Sequence, residues 1–171
     1  MKSIKLLVAA SAMVLLAGAG TAKSEEIIMT LKCGDVHINL FDKFAPEHVK
    51  RIKKLANEKF YDGIIFHRVI PGFMAQTGDP TGTGRGGSKY PDLKAEFNTV
   101  SFNRGVVGMA RSSAKDSANS QFFIMFDKGH FLNGQYTAWG EVVKGMDCVD
   151  KINKGEPPRN PDKIIKMRVA K

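Results

Sequence analysis

Apolar and polar residues alternate from Ile27 to Leu40. Ile27, Met29 and Leu31 fall on one side, Ile28, Thr30 and Lys32 on the other; after Gly34-Asp35, Val36, Ile38 and Leu40 alternate with His37 and Asn39. A period of two on both sides of a glycine turn predicts an antiparallel hairpin. The period then changes. Val49, Ile52, Leu55 and Ala56 share one helical face, with lysines and an arginine opposite. Pro46 suits the first turn of that helix and Glu47 suits its dipole. The pattern is that of a packing helix, not a membrane or partner helix.

From residue 60 to 143 the chain reads as short apolar runs between glycine-rich and polar loops: "GIIFHRVI", "FMAQTG", "GVVGMA", "QFFIMF" and "YTAWGEVV". A second short helix, "GMDCVDKIN", puts Met146, Val149 and Ile152 on one side. A last strand, "KIIKMRVA", alternates Ile165, Met167 and Val169 with Lys166 and Arg168. Many short strands with only two helices predict an all-β fold, an antiparallel sheet that folds over or closes on itself. No internal repeat or linker divides it.

The first 22 residues stand apart. Lys2 and Lys5 precede an uncharged run from Leu6 to Leu16, and "AGAGTA" supplies small residues before a cleavage point after Ala22. This is the pattern of a secretory signal peptide. The apolar run is shorter than the ~20 residues that span a bilayer, and no cysteine follows for lipid attachment. The expected organisation is therefore a leader at 1–22 and one domain at 23–171. The expected location is the periplasm, with secretion as the variant, and no membrane anchor after cleavage.

The leader carries two lysines and no acidic residue, so its removal lowers the formal net charge from +9 to +7. The remaining charges are scattered, as in "KRIKK" and "NKGEPPRNPDK", with no aromatic-laced basic stripe. They read as solvated surface, which argues against nucleic acid as a partner. Cys33 and Cys148 fit no metal or redox spacing. Export would permit a disulfide, and two buried thiols are the plainer reading.

Gly82-Thr83-Gly84-Arg85-Gly86-Gly87 matches G-x-G-x-x-G, but "GDPT" precedes it and "SKYPDL" follows. A dinucleotide site needs a strand before the motif and a helix after it. A flexible or tightly turned surface loop is the better reading. His37, His48, His67 and His130 show no metal-ligand spacing, and no serine or cysteine has a nucleophile context. The expected chemistry uses no metal, no cofactor and no covalent intermediate.

Four strings remain: "FHRVIPGFMAQTGD", "GVVGMAR", "NSQFFIMF" and "FLNGQYTAWGEVVKGMD", in that order and spacing. They resemble the cyclophilin family of peptidyl-prolyl cis-trans isomerases, in particular its exported bacterial members, over nearly all of residues 26–169. The resemblance implies a closed eight-stranded antiparallel β-barrel capped by two α-helices, and a site in a groove on its outside. It implies rotation about X–Pro bonds, with proline-containing polypeptides, unfolded or exported, as partners, and a monomer.

It also implies roles. Arg68 matches the catalytic arginine, and Gln76 the glutamine that holds the substrate backbone beside it. Phe73, Met74, Phe123 and Leu132 would form the proline socket. Gln121 and Ala110 would flank the groove, the backbone N–H of Arg111 would meet substrate, and Gly84 would border a neighbouring pocket. Phe131 stands where familiar eukaryotic members carry the tryptophan that contacts cyclosporin, and Tyr136 where they carry a histidine. Lacking the indole N–H, Phe131 implies weaker cyclosporin binding. Phe122, Ile124 and Phe126 read as core, His67 as structural and Trp139 as a barrel residue.

The chemistry suits those residues. Amide resonance sets a barrier of ~18–20 kcal/mol to rotation. A permanent cation at the prolyl nitrogen stabilises the lone pair that resonance otherwise delocalises, most strongly in the twisted state. One charged hydrogen bond contributes about 1.5–3 kcal/mol, whereas a 10⁵-fold acceleration needs about 7 kcal/mol. Arg68 therefore needs a dry pocket and fixed geometry around it. A proline-peptide binding module or holdase with little turnover is the competing reading.

Overall fold

The structure, a computed structural model, describes residues 25–170, so the expected leader at 1–22 lies outside the described residues. The predicted hairpin forms from β1 (Glu26–Leu31) and β2 (Gly34–Leu40), with Ile27 opposite Ile38 and Met29 opposite Val36. These inward residues are fully buried. Gly34 turns the chain at φ 148, a conformation that residues with a Cβ avoid.

The packing helix α1 (Pro46–Asn57) buries Val49, Ile52, Leu55 and Ala56 as expected. It buries His48 as well. Ala45 offers its N-terminus no side-chain cap. The carboxylate of Glu96, from a distant loop, fills that place by accepting the backbone N–H groups of Glu47 at 3.1 Å and His48 at 2.9 Å. It also meets His48 Nδ1 at 2.6 Å. Two otherwise orphaned helix donors are thereby satisfied from outside the helix.

The remaining strands are β3 (Arg68–Ile70), β4 (Met74–Thr77), β5 (Val106–Met109), β6 (Phe122–Met125), β7 (Ala138–Lys144) and β8 (Lys166–Val169), with α2 (Met146–Asp150) between the last two. They form one eight-stranded antiparallel sheet in the order β3-β4-β6-β5-β7-β2-β1-β8. Its end strands, β3 and β8, share no ladder. The segments before them meet instead through the single bridge of Ile65 and Lys163 and the bonds from Gly63 to Ile164 and from Phe66 to Asp162. The expected fold is thus present as an eight-stranded antiparallel sheet with two helices, without a continuous ladder around it. Ile165, expected to face inward, precedes β8 and is 49% exposed.

β6 explains why "QFFIMF" shows no alternation. Phe122 and Ile124 enter the main core, beneath Trp139, while Phe123 and Met125 join a second cluster with Met74, Phe102, Val106, Leu132 and Ala138. All four strand residues are buried because both faces of the sheet are covered. Phe122, Ile124 and Phe126 are core residues as read from the sequence, and Trp139, fully buried, meets Phe122 edge-on at 5.5 Å. The second cluster is the floor of the groove described below.

The reading of two thiols is overturned. Cys33 and Cys148 form a disulfide, with Cα atoms 5.3 Å apart and 115 residues between them in sequence. The hairpin turn and α2 bring the pair together, and no spacing rule reveals it. Closing so long a loop restricts the unfolded chain and stabilises by about 2–4 kcal/mol.

Candidate active site

Strand register builds the site as a row. Arg68 on β3 pairs with Gln76 on β4, Gln76 pairs with Phe123 on β6, and Phe123 pairs with Gly108 on β5. Directly paired residues share a face of the sheet. The neighbouring row, Val69, Ala75, Ile124 and Val107, points into the main core and is fully buried. Burying Val69 therefore obliges Arg68 to face the groove. An arginine amid apolar residues is the expected outcome at the edge of such a sheet.

A hollow of about 450 Å³ lies along this row. Arg68, Phe73, Met74, Gln76, Ala110, Arg111, Phe123, Phe131, Leu132 and Tyr136 line it. Met74, Phe123 and Leu132 are buried and form its floor. Phe123 stacks on Phe102 at 5.8 Å and meets the Tyr136 ring edge-on at 5.7 Å. Gly108 makes room for it, because a Cβ there would lie 2.4 Å from Phe123 Cζ. Phe131 is 71% exposed and leans on Phe73 at 5.5 Å, so it forms the rim and not the floor.

The polar wall is a directional chain of hydrogen bonds. Arg68 Nη1 donates to Gln76 Oε1 at 3.5 Å, and Gln76 Nε2 donates to Gln121 Oε1 at 2.9 Å. Gln121 Nε2 donates onward to the carbonyls of Gly84 at 3.1 Å and Gly86 at 2.8 Å. Gly84 and Gln121, absent from the first hollow, line a second one of about 560 Å³ that shares Gln76, Ala110 and Arg111 with it. Each residue expected at the site therefore borders one of two adjoining hollows.

Arg68 also donates from Nε to Glu156 Oε2 at 2.8 Å. Both side chains are about half exposed, at 42% and 52%. This carboxylate is a surface partner at the stem side of the guanidinium, so the cation is not sequestered in a buried acidic cluster. The side chain of Arg111, whose backbone N–H alone is given a role from the sequence, is engaged as well. It donates to the carbonyls of Gln135 and Ser112 at 2.9 Å and lies 4.6 Å over the Tyr136 ring. It ties the two loops that frame the hollow.

The glycine-rich stretch takes the tightly turned form of the two expected from the sequence. Asp79, buried, accepts the N–H and hydroxyl of Thr81 at 2.7 and 2.8 Å and the N–H of Gly84 at 2.6 Å. Burial works to raise its pKa, but the Thr81 donors and the Gly86 and Gly84 amides outweigh it, lowering the value to about 2. Gly86 gives the carboxylate its space, since a Cβ there would lie 2.1 Å from Asp79 Oδ1. His67 is buried against this loop, and burial lowers its pKa.

Sequence reasoning missed Asp79 and Glu156. The bond from Thr81 N–H to a side chain two residues earlier is an Asx-turn, so "DPTG" carried a signal for Asp79. "KGEPPRN" carried none for Glu156.

Residues 26–169 match the family described as cyclophilin type peptidyl-prolyl cis-trans isomerase/CLD. The chain is 57% identical over 159 residues to a Brucella suis protein named "Probable peptidyl-prolyl cis-trans isomerase", covering 84% of this chain and 81% of that one. It is 41% identical over 160 residues to peptidyl-prolyl cis-trans isomerase A of Dickeya dadantii, covering 86% and 84%. Among solved structures it is similar to a cyclophilin of Hirschia baltica, with a TM-score of 0.77 and 28% identity over 83% of this chain and 72% of that one. It is also similar to a Cryptosporidium parvum cyclophilin type isomerase solved in the presence of the dipeptide Ala-Pro, with a TM-score of 0.79 and 28% identity over 85% and 99%.

Proposed function

Because the chain belongs to the cyclophilin-type family of peptidyl-prolyl cis-trans isomerases, we propose that Arg68 is the catalytic residue of its rotation chemistry and that the 450 Å³ hollow holds the proline ring. The carrying observation is that one row of paired residues sets a guanidinium, an amide and an aromatic floor side by side. Met74, Phe123 and Leu132 offer apolar contact to a ring whose nitrogen has no proton. Gln76 holds the substrate backbone, and the Arg111 backbone meets it from the facing loop.

Arg68 donates to the prolyl nitrogen as that atom turns pyramidal. The ground-state amide nitrogen has its lone pair delocalised and is a poor acceptor, so the bond strengthens as the C–N bond twists. The chain of amides from Gln76 to Gly86 limits reorientation of the cation during that step. The peptide upstream of proline runs toward the 560 Å³ hollow beside the glycine-rich loop. The Ala-Pro dipeptide named with the Cryptosporidium structure supports proline-containing peptides as the ligand class.

The biological reading is that a monomer of this enzyme acts in the periplasm on exported proteins, after removal of the segment 1–22. The leader pattern and the Cys33–Cys148 disulfide support it, since disulfides persist in oxidising compartments. On this reading the sheet acts as a closed barrel, which the bonds between residues 63–66 and 162–164, beside β3 and β8, support.

The test is refolding of an exported protein whose slow phase is prolyl isomerisation, combined with fractionation of the host cell. Catalytic amounts in the periplasmic fraction should accelerate the slow phase. Recovery of the chain only in the cytoplasm, with residues 1–22 attached, would overturn the exported reading.

A further inference from the structure

Glu156 lies outside every role assigned above, yet the backbone delivers it to Arg68. Val69 and Gly155 exchange both backbone hydrogen bonds at 2.8 Å, forming an antiparallel bridge beyond β3. In that register the next pair outward is Arg68 and Glu156. Gln76 is the partner of Arg68 on the opposite side. The arginine therefore sits between two cross-strand neighbours, an amide on β4 and a carboxylate on the 155–156 segment.

The two neighbours hold different nitrogens. Glu156 Oε2 takes Nε at 2.8 Å, and Gln76 Oε1 takes Nη1 at 3.5 Å. Nε is the nitrogen nearest the aliphatic stem, so a short charged bond there fixes the plane of the guanidinium without occupying either terminal nitrogen. Nη2 makes no hydrogen bond to another of the described residues. A half-exposed pair of this kind contributes little to stability because solvent screens it. Stability therefore does not account for a carboxylate placed by register against this one cation.

We propose that Glu156 is a positioning residue for the isomerase reaction. It orients Arg68 so that the terminal nitrogens face the proline hollow, and it limits the rotamers the arginine would otherwise sample before each turnover. The proposal rests on the reading of Arg68 as catalytic and deepens it. Glu156 also borders a hollow of about 350 Å³ on the far side of Arg68, with Gly84 and Pro157, so solutes reach its carboxylate. Salt that screens the pair should loosen the arginine.

The test compares Glu156→Ala, Glu156→Gln, Arg68→Ala and the Arg68→Ala/Glu156→Ala double variant with the wild-type full chain. kcat and KM are measured by NMR exchange on a proline tetrapeptide at low and high salt, with melting temperature as the control. Glu156→Ala should lower kcat about tenfold and leave KM within about twofold, because the socket is intact while the cation is disordered. Glu156→Gln should fall between, with a kcat that no longer responds to salt. Adding Glu156→Ala to Arg68→Ala should change nothing further.

Wild-type kcat in Glu156→Ala beside a crippled Arg68→Ala would overturn this inference and leave the reading of Arg68 standing. Wild-type kcat in Arg68→Ala would overturn both. An additive loss in the double variant would also overturn the inference, since Glu156 would then act without the arginine. If Glu156→Ala melts early, the salt response of Glu156→Gln decides in its place.

Discussion

The buried carboxylate of Asp79 accepts the backbone N–H of Gly84 at 2.6 Å, and through that bond it shapes the carbonyls that hold Gln121. The row of Arg68 and Gln76 and the glycine-rich loop are therefore one hydrogen-bonded unit. Asp79→Asn replaces an acceptor of several donors with a group that brings donors of its own. We expect it to destabilise by about 1–3 kcal/mol and to weaken binding of peptides that extend upstream of proline more than that of short ones. Chemical denaturation and a KM series over peptide length would check both effects. Because the folded pKa of Asp79 is lowered to about 2, its stabilising contribution is complete above the ordinary carboxylate range and is lost as pH falls toward 2.

The His48–Glu96 pair gives acid sensitivity in two windows. Burial lowers the pKa of His48 despite the opposing Glu96 hydrogen bond. The unfolded chain therefore takes up a proton near pH 6.5 that the folded chain refuses, and stability falls as pH drops below about 6.5. For Glu96, burial works upward, but the His48 ring and the His48 and Glu47 amides outweigh it. Its contribution is present above the ordinary carboxylate range and is lost as pH falls through the lowered folded value. Glu96→Ala should cost about 1–2 kcal/mol by uncapping α1. It should also change the pH dependence of the unfolding midpoint between pH 7 and 4, measured in urea.

Gly108 tests the floor of the hollow. A Cβ there would lie 2.4 Å from Phe123 Cζ and 2.6 Å from Phe102 Cε1, so one ring must move. Gly108→Ala should destabilise by about 1–3 kcal/mol through overpacking and raise KM for proline peptides as Phe123 is pushed into the groove. Peptide titration followed on the Phe123 ring resonances would report the displacement. Unchanged KM with unchanged ring shifts would place Phe123 outside the binding floor.

The disulfide should matter to stability and not to turnover. Cys33 and Cys148 tie the hairpin turn to α2, away from the row of Arg68, Gln76 and Phe123. A Cys33→Ser/Cys148→Ser variant should lose about 2–4 kcal/mol while keeping its kcat. Denaturation with and without a dithiol reductant should give the wild-type protein the same loss.

Legibility followed sequence distance. The hairpin, α1 and the inward residues of β8 were visible because a period of 2 or 3.6 is written in neighbouring residues. The rim and floor of the groove were visible because their residues sit in long distinctive strings. The partners that orient them were not. Glu156 reaches Arg68 across 88 residues, Cys148 reaches Cys33 across 115, and Glu96 caps a helix 48 residues away. Each depends on the register of strands or segments that no local pattern encodes. β6 hid its alternation for the opposite reason: both of its faces are covered, so each of its residues is apolar.

The most direct measurement is NMR exchange between the cis and trans forms of a proline tetrapeptide, with wild type, Arg68→Ala and Arg68→Lys. Losing one charged donor to the transition state should lower kcat/KM about a hundredfold, close to 2.7 kcal/mol. Arg68→Lys should recover little, because an ammonium lacks the planar fork. Peptide should still perturb the Phe123 and Leu132 resonances in both variants. Exchange as fast in Arg68→Ala as in wild type, or saturable binding without exchange in the wild-type protein, would contradict the account.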